Sequence, residues 1–582
     1  MDCFKFSFYY YSCYNIYMNS IFKLPIFYSK DKMKLPDNII LDLELIKTNN
    51  SIGDPIYKYL FEPKTIFGKE VLNLFPECYT TDVSFLKDTQ TVLKTYKPLT
   101  EGENDYNLIN DIWNEVKNDS GFIEKYQYVD WACLDHLNTS AVFLQFMSIY
   151  NLASPILSLF IPVLLLIIPF FIIKMRGLDI TIEQYITVLK QIAANHAIGK
   201  LFTNFNSSAE VSQKIYLLVS TGFYFFSIYQ NIMVCLRFNS NMIKIQQYLQ
   251  HFKDYITYTE KSAENFVNYT KDLITYSPFV NILKMHVATL GEFKLKLEKM
   301  IMYKFTPYAV TGLGHSLACF YELRNNASYN DAFLYSFGFN GFIDNIEGLI
   351  ENMQSNFLTC ARFTKNIKKT KFTDAYYPAL MHADPVKNSY TLNNMIITGP
   401  NAAGKTTILK TTLINTILSQ QCGVGTFSEA VIYPFKFFHC YLNIPDTSGR
   451  DSLFQAECRR CKEILDTIKE NGKTDTHLCV FDELYSGTNP DEAELSSVAF
   501  MEYLIKMKNI KCILTTHFVK ICSILETRGN IKNYYMDTTI TENNDFKYSF
   551  KLLKGISEVK GGIKVLKDMN YPSEIINSFA NK

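Results

Sequence analysis

Net charge is almost absent from this chain: 58 Lys and Arg stand against 57 Asp and Glu over 582 residues, a net +1. That balance excludes a generic polyanion binder, so any nucleic-acid contact has to come from a local patch. Also missing is the paired cysteine spacing of a small secreted scaffold. The 14 cysteines are scattered from Cys3 to Cys522 and read as reduced thiols of a cytosol-facing protein. Cys458 and Cys461 form a CxxC with no second CxxC or nearby CxxH. A spacing of three is ordinary on a helix, so no zinc site is expected there. The aromatic stretch Met1 to Phe27 lacks a basic leading region, a Leu/Ala core and a small-residue cleavage site, so a cleaved secretory signal is not expected. What is present, 48% hydrophobic and 20% charged residues, fits a folded chain. Its length asks for about three or four structural units.

Two long apolar runs stand out. Leu152 to Ile173 are 22 residues without charge, closed by Lys174 and Arg176, and Ile215 to Leu236 are another 22 between Lys214 and Arg237. Each can cross about 30 Å of hydrocarbon at about 1.5 Å per residue. Pro162 and Pro169 in the first are tolerated in a spanning helix. The second contains Ser, Thr, Gly, Gln and Asn, so a buried core helix is its alternative. Together they make a hairpin with both termini on one side. From Asn239 to Lys304 apolar residues recur every three or four positions between charges, the pattern of long amphipathic helices serving as lever arms or as a bundle. Arg362, Lys365, Lys368, Lys369 and Lys371 cluster next, as a solvated helix end or as a patch for phosphates or anionic lipid heads.

After about Lys371 strands alternate with helices. The β-branched run 394–398 reads as a buried parallel strand. It feeds Gly399-Pro400-Asn401-Ala402-Ala403-Gly404-Lys405-Thr406, which satisfies G-x-x-x-x-G-K-[ST], and a helical run follows. Strand, loop and helix in that order are the context this phosphate-binding motif requires. Gly399 and Gly404 let backbone N–H groups close around phosphates at a helix N-terminus, with Thr407 next in line. Lys405 is placed to reach the β- and γ-phosphates of ATP, and the Thr406 hydroxyl to ligate Mg²⁺. In HLCVFDEL, 477–484, a buried strand ends in Asp482, a candidate for the Mg²⁺ shell, and Glu483, a candidate to polarise the attacking water. IKCILTTHF, 510–518, delivers His517 to a strand's C-terminal end, as a γ-phosphate sensor.

TGPNAAGKTT (398–407), SGRDSLFQAE (448–457), VFDELYSGTN (480–489) and TTHF (515–518) together resemble the MutS mismatch-repair family. The tail from Lys551 follows that family's closing pattern with gaps. ABC transporters are the nearest rival, but the stretch before Asp482 contains nothing like their L-S-G-G-Q signature. The resemblance implies an ATPase whose two subunits meet face to face, Ser452 reaching the partner's nucleotide in trans. It makes Asn401 a candidate for positioning the γ-phosphate, and Tyr377, with Tyr376 and Pro378, a candidate for stacking adenine. The mismatch-probing G-x-F-Y-E wedge of relatives is not found in 1–150.

The fold expected is therefore an α/β P-loop NTPase domain at 371–582, MutS/ABC-like, with a mainly parallel sheet and flanking helices. Ahead of it come an unassigned segment 1–60, the start of a helical core at 61–150, a membrane hairpin at 151–237 and lever-like helices at 238–370. The function implied is an ATP-hydrolysing, DNA-binding mismatch-repair-type protein. The alternative is a membrane-anchored ATPase acting on a membrane or membrane-protein partner. ATP and Mg²⁺ are the expected ligands, and the expected partners are a homo- or heterodimer mate through the ATPase domains, double-stranded DNA and a membrane. ATP places the ATPase domain on the cytoplasmic side of that membrane, the alternative being a soluble cytoplasmic or nuclear protein. The loop 174–214 carries five cations, at 174, 176, 190, 200 and 214, which by the positive-inside rule would itself be cytoplasmic. A re-entrant hairpin would satisfy both.

Overall fold

The structure, a computed structural model, describes residues 20–48, 53–99, 105–177, 181–195, 211–302, 310–442, 452–471, 474–528, 531–541, 546–557, 559, 569–572 and 574–575. The aromatic start 1–19, the loop cation at 200, residues 448–451 before Ser452 and most of the closing pattern after Ser557 lie outside it. The chain forms two compact units, Asn104–Glu260 with Ala288–Phe333, and Met1–Glu103 with Lys261–Val287 and Leu334–Lys582. Each unit is assembled from separated stretches, which a linear division at 60, 150, 237 and 370 does not express.

The first unit is helical. Its elements are α1 (Tyr106–Asn118), α2 (Ala141–Met175), α3 (Ile182–Asn195), α4 (Val211–Thr270, up to residue 260), the end of α5 (Ser277–Glu298), α6 (Leu313–Asn325) and the start of α7 (Ala327–Gln354). Asp105 caps α1 by accepting from Asn107 N and Leu108 N, both at 3.1 Å. Ile109, Ile112, Trp113 and Val116 then fall at helical spacing on its buried face. Trp113 packs against Phe252 and Phe333. The first turns of α2 lie directly against α6, since a Cβ on Gly314 would stand 2.2 Å from Ala141 O. Only glycine permits that approach. Gln145 fixes the contact by accepting from Gly314 N at 2.9 Å and donating to Val310 O at 2.8 Å.

Beyond that base many of the described side chains of the apolar windows are exposed. Phe160 is 57% exposed and Phe171 57%, and on α4 Phe223 is 68% and Phe225 64% exposed. Among the described residues of 215–236 none is buried, and the largest apolar side chains face outward. Among the described residues two helices are long and apolar enough to cross a membrane.

The second unit carries the sheets. The strands of its two larger sheets are β1 (Arg362–Phe363), β2 (Lys371–Ala375), β3 (Asn388–Thr391), β4 (Met395–Thr398), β5 (Glu429–Ile432), β6 (Phe437–Tyr441), β7 (His477–Asp482), β8 (Ile510–Thr515), β9 (Lys532–Ile540) and β10 (Phe546–Lys554). A six-stranded sheet has the order β6-β7-β8-β4-β9-β10. Its first five strands pair in parallel and only β10 is antiparallel. The central strands β4 and β8 are buried throughout, as continuous apolar runs covered on both faces should be. The helices of this part are α8 (Lys405–Cys422), α9 (Leu453–Glu470), α10 (Pro490–Ile505) and α11 (Val519–Arg528). Met501, Leu504, Ile521 and Leu525 from α10 and α11 meet Ile396, Phe481 and Leu514 of the sheet in one core. A four-stranded sheet, β1-β5-β2-β3, stands beside it in the chain. The basic cluster lies on its short strands and a 3-10 turn at Ile367–Lys369, not at a helix end. Arg362 pairs with Glu429 at 3.1 Å, while Lys365, Lys368, Lys369 and Lys371 are exposed.

Candidate functional site

The C-terminal ends of β4, β7 and β8 lie side by side, the edge where parallel α/β sheets hold ligands. From β4 the chain enters the loop 399–404 and then α8. Gly404, at φ 94°, and Ala402, at φ 62°, turn it in the left-handed region, which glycine adopts freely and alanine only at a cost. No side chain caps α8. The N–H groups of its first turn are therefore left to an anion, which the helix dipole also favours.

Lys405 is the hub of the loop. It is only 5% exposed, and its Nζ donates to Gly399 O at 3.1 Å and Pro400 O at 3.2 Å. His517 Nε2 lies 3.1 Å from it and Glu483 Oε1 3.8 Å. Burial lowers the Lys405 pKa, against the opposing pull of Glu483 and Asp482. The imidazole of His517 donates to Glu483 Oε1 at 2.7 Å, and this hydrogen bond is the main reason the Glu483 carboxyl titrates below its ordinary range. Glu483 itself sits at φ 51° and Tyr485 at φ 59°. A non-glycine residue there stores about 1–3 kcal/mol of backbone strain, which surrounding structure must hold.

Asp482 accepts from Thr406 Oγ1 at 2.7 Å and from the Thr515 hydroxyl. A hydroxyl and a carboxylate oxygen side by side suit a hard cation such as Mg²⁺ that keeps water and phosphate ligands. Among the described residues no group of three or more His, Cys, Asp and Glu could hold a metal alone. The twelve described cysteines, Cys458 and Cys461 included, are free.

A cleft of about 370 Å³ opens beside the loop. Asn401, Ala402, Gly404, Lys405, Thr406, Thr407 and Glu483 line it, as do Tyr377, Leu380, Val386, Met536 and Phe550, the last two beside Gly404. Pro400 and Ala403 are buried and outside its lining. Leu380, Val386, Met536 and Phe550 were not foreseen. Phe550 reaches the site through an irregular pairing of β9 with β10, between Met536 and Thr538, and no local sequence pattern announces that.

Ser452 is exposed and outside the cleft. It caps α9 in a reciprocal box, Gln455 N donating to its Oγ at 3.3 Å and Ser452 N to Gln455 Oε1 at 3.0 Å. Five residues on, Glu457 is 2% exposed. Its Oε1 accepts from Ser486 N at 3.1 Å and Ser486 Oγ at 2.9 Å, and its Oε2 from Gly487 N at 3.1 Å. A Cβ at Gly487 would stand 2.7 Å from Phe454 N. The start of α9 and the loop after Glu483 are thus one locked piece, a link that sequence spacing alone does not reveal.

Fold and site together define an α/β domain of mainly parallel sheet, with a glycine loop, a lysine and paired acidic residues converging at one strand edge. Residues 395–582 match the family model described as MutS domain V. Similar curated proteins include MutS protein homolog 4 of Mus musculus, 29% identical over 194 residues, 32% of this chain and 19% of that protein. DNA mismatch repair protein MutS of Clostridium perfringens is 27% identical over 224 residues, 36% and 24% of the two chains. Endonuclease MutS2 of Staphylococcus haemolyticus is 26% identical over 240 residues, 38% and 30%. Residues 395–582 are thus similar to domain V of MutS proteins, and the matches span less than a third of those relatives' own lengths.

Proposed function

We propose that the protein is an ATP-hydrolysing MutS-family engine whose P-loop is the loop 399–406 and whose partner molecule is duplex DNA. The observation that carries the ATPase reading is the meeting of Lys405, Glu483 and His517 within 3.8 Å at the mouth of an uncapped helix. Lys405 holds the terminal phosphates, Thr406 and Asp482 hold Mg²⁺, Glu483 orients and polarises the attacking water, and His517 positions Glu483 and senses the γ-phosphate. Adenine stacks on Tyr377, which lines the cleft. Two copies, or this chain and a related one, close on ATP with Ser452 of each completing the other's site. Closure is passed to the long helices α4, α5 and α7, whose residues divide between the two units. The exposed lysines of the 362–371 cluster supply a local patch for DNA phosphates.

The test is ATP turnover of the purified chain and of Glu483→Gln. The variant should bind nucleotide with unchanged affinity and lose turnover by at least about 100-fold, a size typical of removing a catalytic base; unchanged turnover overturns the assignment. Duplex DNA should raise turnover in a salt-dependent way, and no response to any duplex sinks the DNA reading. A second reading, a membrane-anchored ATPase acting on a membrane or membrane-protein partner without mismatch recognition, is favoured by the outward-facing apolar side chains of α2 and α4.

A further inference from the structure

We propose that α2 and the first part of α4 form a hairpin that crosses a lipid bilayer completely and returns. Residues outside the hairpin, 395–582 among them, then lie on one side, and the turn after Arg176 on the other. This rests on the membrane reading and commits to lipid hydrocarbon as what covers these helices.

The exposed surface has the shape of a lipid-facing one. On α2 the exposed residues Ile156, Leu159, Ile168 and Ile172 spread over about 220° of the helix circumference at 3.6 residues per turn. A helix seated on a soluble partner needs a stripe of only about 100°. The two windows also meet at their base. Cys235 Sγ lies 3.7 Å from Leu152 O, so the end of one window stands beside the start of the other. Each rises about 33 Å over its apolar length, the thickness of a bilayer's hydrocarbon. Cations stand at both ends, Lys174 and Arg176 at the tip and Arg237 at the base. At the tip α3 folds back, its Tyr185 hydroxyl accepting from Phe170 N at 3.0 Å.

Crossing is favoured over re-entry because α2 runs unbroken from Ala141 to Met175. A path that stopped half-way would leave Lys174 and Arg176 in hydrocarbon, where charges are expensive. The tip's cations oppose a cytoplasmic ATPase domain by the positive-inside tendency. That tendency biases the direction of insertion but does not shorten the helix.

The experiment uses full-length protein translated into sealed microsomes, with a protease site inserted after Gly177 and a tag at the C-terminus. Expected are resistance to carbonate extraction, loss of the tag to added protease, and a tip site cut only after detergent. Cutting of the tip without detergent in a carbonate-resistant protein overturns crossing while leaving the membrane reading intact; carbonate extraction overturns both. Leu218→Asp with Phe223→Asp changes only exposed side chains and should make the protein extractable, and persistence of resistance also overturns the proposal. ATP turnover of the same microsomes reads the ATPase proposal independently of topology.

Discussion

Replacing Glu457 by Gln tests whether the locked piece at the loop after Glu483 matters to the proposed ATP turnover. The carboxylate is 2% exposed and accepts three hydrogen bonds, two of them from the backbone N–H groups of Ser486 and Gly487. Glutamine can keep its oxygen toward Ser486, but it turns an NH₂ group toward the Gly487 N–H. One charge-assisted hydrogen bond is lost, worth about 1.5–3 kcal/mol, and a buried donor is left unmet. If that energy holds the loop in its catalytic position, turnover should fall roughly 10- to 100-fold, at about 1.4 kcal/mol per tenfold. Glu457 touches neither the loop 399–406 nor the cleft, so the affinity for a fluorescent ATP analogue should stay within about threefold. Single-turnover hydrolysis and equilibrium binding on the same preparation separate the two quantities. Turnover within twofold of wild type refutes the reasoning. So does a parallel fall in binding, which would mark Glu457 as a support of the whole domain.

Ser452 offers a second separation of roles: Ser452→Ala removes both its hydroxyl and its cap, whereas Ser452→Asn keeps an N-cap acceptor. Loss of turnover in both, measured with retained nucleotide binding, fits action on a partner's site, and rescue by Asn reduces the residue to a cap. Glu70 gives a pH prediction. It is 7% exposed, both its carboxylate oxygens lack a hydrogen-bond partner, and burial pushes its pKa from 4.5 to about 7. The folded state therefore holds the proton more tightly than the unfolded chain. Its contribution is fully present below about pH 4.5 and is lost as pH rises through 7, to a total of about 3 kcal/mol at about 1.4 kcal/mol per pH unit. Glu70→Gln should raise the melting temperature at pH 8 and leave it nearly unchanged at pH 4.5, and an equal shift at both pH values refutes the burial argument.

The loop before Lys405 was legible because its pattern is local: a buried strand, a glycine turn and a helix start occupy adjacent residues, and the structure places them as Met395–Thr398, the loop 399–404 and Lys405–Cys422. Asp482 and His517 were legible for the same reason, each ending or following a short apolar strand. What escaped depends on pairing between distant segments. Phe550 and Met536 reach the cleft through an irregular antiparallel register at the sheet edge. Glu457 meets Ser486 only because α9 and the loop after β7 pack together. The second apolar window is the instructive middle case. Its Ser, Thr, Gly, Gln and Asn made a core helix and an exposed one equal in composition, and hydropathy cannot say which way Phe223 and Phe225 point. Burial decides between them, because an apolar side chain turned outward needs a cover that the protein does not supply. On this chain the strand, loop and helix around Lys405 were therefore readable from contiguous residues, while the outward turn of the apolar helices is a property of surfaces.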